Sequence, residues 1–160
     1  MPQAFVALGA NLAEPAEQVR AALGSLAQLP ECRVLRSSSL YRTAPVGIHG
    51  QPDFINAVAA LETVLTPQDL LAALFAIEAQ FGRRRDYRHA PRTLDLDLLL
   101  YGNETLDTPA LQLPHPRMHL RAFVLAPLLE IAPDCAIPGR GNAAAWLPAV
   151  SMQPIEKLTA

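Results

Sequence analysis

Two carboxylates, Asp95 and Asp97, stand two residues apart in the otherwise apolar run "LDLDLLLYG". If that run is a β-strand, residues i and i+2 share a face. The two carboxylates then lie side by side, roughly 6.5–7 Å apart along the strand. On a helix they would point about 200° apart and could not share a ligand. Like charges this close repel, and burial raises the cost, so a cation is needed beside them. One candidate is Arg92 or Arg83, which would make a structural ion-pair cluster. The other is Mg²⁺, which takes one or two carboxylates and completes its shell with substrate phosphates. Two such ions, about 3.5–4 Å apart, could share the pair.

The neighbourhood favours phosphate chemistry. Five arginines (Arg83, Arg84, Arg85, Arg88 and Arg92) fall just ahead of the pair. Such a loop could simply be a solvated charged segment. Placed next to an acidic pair, it also meets what polyphosphate and Mg²⁺ require: guanidiniums bind phosphoryl oxygens in bidentate fashion and neutralise developing charge. It could also close over a substrate and exclude water. Downstream, "LPHPRMHLR" adds His115, Arg117, His119 and Arg121. Neither G-x-x-x-x-G-K-[ST] nor G-x-G-x-x-G occurs, so a nucleotide would be held by neither a P-loop nor a Rossmann turn.

Positioning these residues requires a sheet. "AFVALGANL" is a buried strand ending in a turn, and "AEPAEQVRAALGSLAQL" is a helix with Pro15 in its first turn and Val19, Leu23 and Leu26 at helical spacing. "CRVLRSSSLYRT" alternates and is taken as one strand; "APVGIHGQPD" is a Gly- and Pro-rich loop; "FINAVAALETVL" is a strand. "TPQDLLAALFAIEAQFG" is the clearest helix, with Thr66 as N-cap, Pro67 at N1, Asp69 at N3 and Gly82 as a C-terminal stop. The acidic run is the next strand, with Leu94, Leu96, Leu98 and Leu100 on one face and Asp95, Asp97, Leu99 and Tyr101 on the other. A further helix is expected around residues 117–131, and the Ala- and Pro-rich tail gives no pattern. The order β-α-β-β-α-β is the ferredoxin-like plan, an α+β antiparallel sheet with helices on one face, here with a C-terminal extension. The opposite face is then free to carry a site.

At 160 residues, 51% hydrophobic and 18% charged, with a net charge of −2, the chain is expected to form a single domain over 1–160. That charge does not suggest a nucleic-acid partner. Cys32 and Cys135 are far apart and lack metal-ligand spacing, so both are expected to be small, partly buried apolar residues. No apolar run reaches the roughly 18 residues a spanning helix needs, and the start lacks the pattern of a signal peptide. A cytoplasmic monomer without membrane contact is expected.

Taken in order, "ALGANL", "SSLYRTAPVG", "QPDFINAV", "PRTLDLDLLLYGNE" and "LPHPRMHLRAFVLAPLLEIAP" resemble the 6-hydroxymethyl-7,8-dihydropterin pyrophosphokinases of folate biosynthesis over nearly the whole chain. The resemblance implies a ferredoxin-like fold and transfer of pyrophosphate from ATP to the pterin hydroxymethyl oxygen, leaving AMP. It implies that Asp95 and Asp97 bind two Mg²⁺ ions that bridge the ATP phosphates. Arg83 and Arg92 become the catalytic loop arginines, with Arg85 and Arg88 as auxiliary contacts, and Glu78, His115 and Arg121 become ATP-site residues. For the pterin it implies a wall of Thr43, Pro45 and Val46, the Asn56 amide at the ring edge, and Phe54 and Phe123 on its faces. A flat ring with a polar rim suits two aromatic faces and an amide that both donates and accepts.

The chain departs from relatives at several places. His89 replaces a Trp common in the family, and the arginine loop is one residue shorter than in another member; Ala44, Ala110 and Pro116 stand where that member has Pro, Arg and Tyr. Phe75 occupies a position expected to be polar on the adenine side. Two rivals stay open. One is a catalytically silent ferredoxin-like module in which the acidic pair is structural; the other is an ordinary kinase that leaves ADP.

Overall fold

Thr66 accepts the Asp69 N–H at 3.1 Å and Pro67 occupies N1, so α2 (Pro67–Gln80) starts where its sequence says it should. Its buried residues Leu70, Leu74, Ile77 and Glu78 form one stripe. Helix α1 (Pro15–Ala27) also opens on a proline and buries Val19, Ala22 and Leu26. The computed structural model describes residues 2–12, 14–44, 52–81 and 94–158. Both helices pack on an antiparallel sheet of β1 (Gln3–Ala10), β2 (Cys32–Ser37), β3 (Tyr41–Thr43), β4 (Phe54–Thr63), β5 (Asp95–Tyr101) and a strand from the tail. Strand order runs from β3 through β4 and β1 to β5, with β2 also paired to β4.

The segment expected to be one strand over residues 32–43 divides into β2 and β3. Ser38 sits between them, its N–H donating to Val58 O at 2.8 Å and its hydroxyl accepting the Val58 N–H at 2.9 Å. A side chain has taken over part of the ladder, and both pieces continue along β4. The expected helix over 117–131 also divides. Met118–Leu120 is a 3₁₀ turn, Arg121 is extended (φ −128°, ψ 115°), and α3 runs only from Ala122 to Ile131. An extended residue cannot continue a helix, so α3 restarts after Arg121.

Alternation along β5 also fails beyond Leu98. The β1–β5 register shifts between Phe5 and Val6, leaving Leu98 opposite Val6 but Leu100 opposite Phe5. This bulge moves Leu100 to the second face and returns Tyr101 to the first, where its hydroxyl donates to Leu65 O. Asp95 and Asp97, ahead of the bulge, keep the expected face.

Helices do not lie on one face alone. Val6, Leu8, Ala57, Ala59, Leu61, Leu96 and Leu98 meet α1 and α2. Phe5, Val58, Ala60, Leu99 and Leu100 meet α3 and the tail, through Val124, Leu125, Leu128, Ile137 and Val150. Each fully buried Leu contributes about 1.5–3 kcal/mol. The tail, which had no readable pattern, forms the short pair β8 (Ala136–Ile137) and β9 (Gly141–Asn142), a 3₁₀ stretch over Ala143–Val150, and β10 (Ile155–Lys157), which extends the sheet beside β3. Between β5 and the 3₁₀ turn at Met118 lies the hairpin β6 (Leu106–Asp107) and β7 (Gln112–Leu113). Cys32 and Cys135 are free and partly buried, as expected. No helix among the described residues is long and apolar enough to cross a membrane.

Candidate active site

Part of the second face is left uncovered by α3, and there the register assembles a row across four strands. Asp95 lies opposite Gly9, Gly9 opposite Asn56, and Asn56 opposite Tyr41. In the next row, Asp97 lies opposite Ala7 and Ala7 opposite Val58. Neighbouring strands are about 4.8 Å apart, so Asp95 and Asn56 face the same side about 10 Å from one another. Gly9 is the gap between them. A Cβ there would stand 3.0 Å from Asn56 Oδ1. The Asn56 amide is 5% exposed and donates from Nδ2 to Thr43 Oγ1 at 2.9 Å, so its carbonyl end is the one turned toward Gly9. Phe54 opens β4 opposite Thr43, and Asn11, 1% exposed, donates to Pro52 O at 3.5 Å just before it.

β5 is the edge of the sheet, and two groups satisfy its outward backbone. Glu78, 3% exposed on α2, accepts the Leu96 N–H at 2.7 Å, midway between the two aspartates. The His115 N–H donates to Leu99 O at 2.9 Å. Glu78 thus sits under the strand and anchors its backbone. His115 Nδ1 accepts the Arg117 N–H at 3.1 Å, so its proton is on Nε2. Burial, and after it the charges of Arg121 and Arg117, push the His115 pKa down to about 4, while Asp95 opposes them. His115 is therefore a neutral donor at pH 7. The same electrostatics place Arg121, His115 and Asp95 in one neighbourhood. The Arg121 guanidinium lies over the Phe123 ring, 5.4 Å from its centroid.

Beside the aspartates is a cleft of about 270 Å³, walled by Leu71 and Phe75 of α2, Asp97 and Leu98 of β5, and Leu111 and His115 of the following segment. Its lining is mostly apolar and includes a carboxylate and an imidazole, which suits a flat base with a charged appendage. Asp95 and Asp97 are half-buried oxygen donors. Among the described residues no group of three or more His, Cys, Asp or Glu could hold a metal alone. Two carboxylates and no cage fit Mg²⁺, which keeps waters and phosphate oxygens, better than a metal needing a full set of protein ligands.

The family profile described as 7,8-dihydro-6-hydroxymethylpterin-pyrophosphokinase (HPPK) matches residues 5–133. The chain belongs to the HPPK family. It is 52% identical to a 2-amino-4-hydroxy-6-hydroxymethyldihydropteridine pyrophosphokinase of Pseudomonas aeruginosa, over 96% of this chain and 95% of the relative. The like-named Haemophilus influenzae protein is 49% identical over 86% of each. A crystallised HPPK-DHPS in complex with substrates superposes with a TM-score of 0.74 at 13% identity, covering 94% of this chain and 43% of that one. At that identity the likeness concerns the fold alone. The HPPK match ends at Ile131-Ala132-Pro133, before the tail strands.

Of the residues expected to form the site, the structure brings Asp95, Asp97, His115 and Arg121 together, and Thr43, Phe54 and Asn56 together. Phe123 stands beside Arg121 at the start of α3. Arg83, Arg85, Arg88, Arg92, Pro45 and Val46, with Gly82, lie outside the described residues. Gly9 and Asn11 were not anticipated as site residues. Their one signal is a Gly and an Asn closing an apolar strand, which an ordinary turn also produces.

Proposed function

We propose that this protein transfers pyrophosphate from ATP to the hydroxymethyl group of 6-hydroxymethyl-7,8-dihydropterin, giving AMP and the pterin diphosphate, in folate biosynthesis. HPPK family membership supports the activity. What supports the placement of the substrates is the row Asp95–Gly9–Asn56, which sets a carboxylate pair and a ring-reading amide on one face about 10 Å apart. A pterin whose rim meets Asn56, between Phe54 and Phe123 and beside Thr43, Pro45 and Val46, would point its hydroxymethyl arm across Gly9 toward the phosphates. ATP takes the cleft, with its base against Leu71, Phe75 and Leu111 and its phosphates toward Asp97, His115 and Arg121.

Asp95 and Asp97 would hold two Mg²⁺ ions; bound there, Mg²⁺ neutralises phosphate charge and helps orient ATP. Glu78 serves the ATP site by fixing the β5 backbone between the aspartates. Neutral His115 donates from Nε2, and Arg121 with Arg85 and Arg88 engages phosphate oxygens. Arg83 and Arg92 tighten on the charge that develops as the hydroxyl attacks the β-phosphorus in line; positioning and charge neutralisation carry most of such a step. We also assign the order β5-β1-β4-β2 to the ferredoxin-like plan with an extension after α3, and residues 1–160 to one pyrophosphokinase domain. It works as a monomer in the cytoplasm on two small substrates, without nucleic acid or membrane.

Product analysis tests the reading. AMP should form only when the pterin and Mg²⁺ are both present. ADP as the product would make the protein an ordinary kinase. Tight binding without turnover would make it a binding module with a structural acidic pair.

A further inference from the structure

Arg121 has an exacting position. It is a single extended residue between the 3₁₀ turn at Met118–Leu120 and the first turn of α3, and it makes no side-chain cap for that helix. The N–H groups of a helix's first turn need partners from outside the helix. Here the tail provides one. Gln153 Oε1 accepts the Ala122 N–H at 2.9 Å, and Gln153 Nε2 donates to Leu120 O at 2.9 Å. One carboxamide therefore grips the backbone on both sides of Arg121, as a neighbouring peptide group would. Gln153 is itself held on both sides: its own N–H donates to Val150 O at 3.0 Å, and β10 pairs with β3 directly after it.

We infer that Gln153 is a positioning residue for the reaction, fixing the backbone from which Arg121 reaches the nucleotide phosphates. This rests on the reading of Arg121 as a phosphate-binding residue. Gln153 lies 20 residues past the end of the HPPK match at Pro133, so the inference gives the tail a part in the site that the family match does not cover. The chemistry is specific to an amide. A carboxylate of the same length could accept from Ala122 but would face the Leu120 carbonyl with no proton to offer. A thioether of the same length has no proton for the Leu120 carbonyl and is only a weak acceptor for the Ala122 N–H.

The test uses the full chain with Gln153→Met and Gln153→Glu, each alone and combined with Arg121→Ala. AMP formation with Mg²⁺-ATP and the pterin gives kcat and the KM for ATP. Titration of the pterin alone gives its Kd, and thermal melts monitor folding. With Arg121 present, each Gln153 variant should lower kcat/KM for ATP about 5- to 20-fold, with pterin Kd changed by less than about twofold. With Arg121→Ala, the same changes should have little further effect, because the side chain being aimed is gone. A Gln153→Met variant within about twofold of the unaltered protein overturns the inference. So does an equal loss in both backgrounds, which would make Gln153 a purely structural support. If Gln153→Met does not fold, Gln153→Glu, which keeps the bond to Ala122, decides by the same criteria. If Arg121→Ala itself costs nothing, it is the functional reading of Arg121 that falls.

Discussion

At the scale of single residues, the site depends on three small facts of chemistry: a missing side chain, a repelling pair and a neutral ring. Gly9 leaves the Asn56 carbonyl clear, because a methyl there would stand 3.0 Å from Oδ1. Gly9→Ala should displace the amide and weaken pterin binding by about 1–2 kcal/mol, an order of magnitude or somewhat more, with ATP binding nearly unchanged. Separate titrations of the two ligands would show it, and equal losses for both would mean general damage. Asp97→Ala should reduce turnover by about 10³-fold or more while the protein folds as well as before or better, since one of two like charges is gone. Retention of activity at limiting Mg²⁺ would sink the metal assignment. His115 gives a pH signature. Its folded pKa, about 4, lies below the ordinary 6.5, so between those values the unfolded chain takes up a proton that the folded chain refuses. Its contribution to stability is whole above pH 6.5 and falls as the pH drops toward 4. Urea unfolding of His115→Gln against the unaltered protein, at pH 7.5 and pH 4.5, should show a smaller loss on acidification for the variant.

Among the elements, α3 and β3 are tied by one carboxylate. Glu130, at the end of α3, accepts the Ser39 N–H at 3.0 Å, the Ser39 hydroxyl at 3.0 Å and the Tyr41 hydroxyl at 2.6 Å, with Lys157 of β10 at 3.9 Å. Burial raises the Glu130 pKa, but the bonds from Tyr41 and Ser39 and the charge of Lys157 outweigh it and hold that pKa below the ordinary value; burial first, and then Glu130 itself, push the Tyr41 hydroxyl up. Glu130→Ala should cost about 1–3 kcal/mol in chemical denaturation, and pterin affinity should fall with it because Thr43 ends the same short strand. An unchanged midpoint would show that the cluster is ornamental. The contrast with the sequence lies in what each signal depends on. Thr66, Pro67 and Asp69 specify the start of α2 by local chemistry, and Asp95 and Asp97 are paired by strand period alone, so both were legible. The break at Ser38, the bulge near Leu99 and the restart after Arg121 each depend on a partner distant in the chain: Val58, Phe5 and Gln153. No local pattern announces such partners. His115 and Arg121 could be named from residue type, whereas Gly9 acquires meaning only once the register puts it between Asp95 and Asn56.

For the whole molecule, the main fact is that each face of the sheet carries a packed core. The fold is shared with a protein 13% identical, so what persists is the pattern of enclosure and not the side chains that fill it. Strand β4 carries this furthest. Ala57, Val58, Ala59 and Ala60 are each 0% exposed, and they point alternately into the two cores. Ala59→Leu and Ala60→Leu should each lose about 1–3 kcal/mol, or about 3–9 °C in Tm, by overfilling opposite sides. A melt that either tolerates without a shift would show slack in that core. The strand therefore has no face on which a change is cheap. In a pool of random variants selected only for folding, these four positions would drift least, while Gly9 would be free to vary as soon as the selection ceased to ask for catalysis. A ranking of positions by how little they change would place this stretch of β4 first and read packing as chemistry.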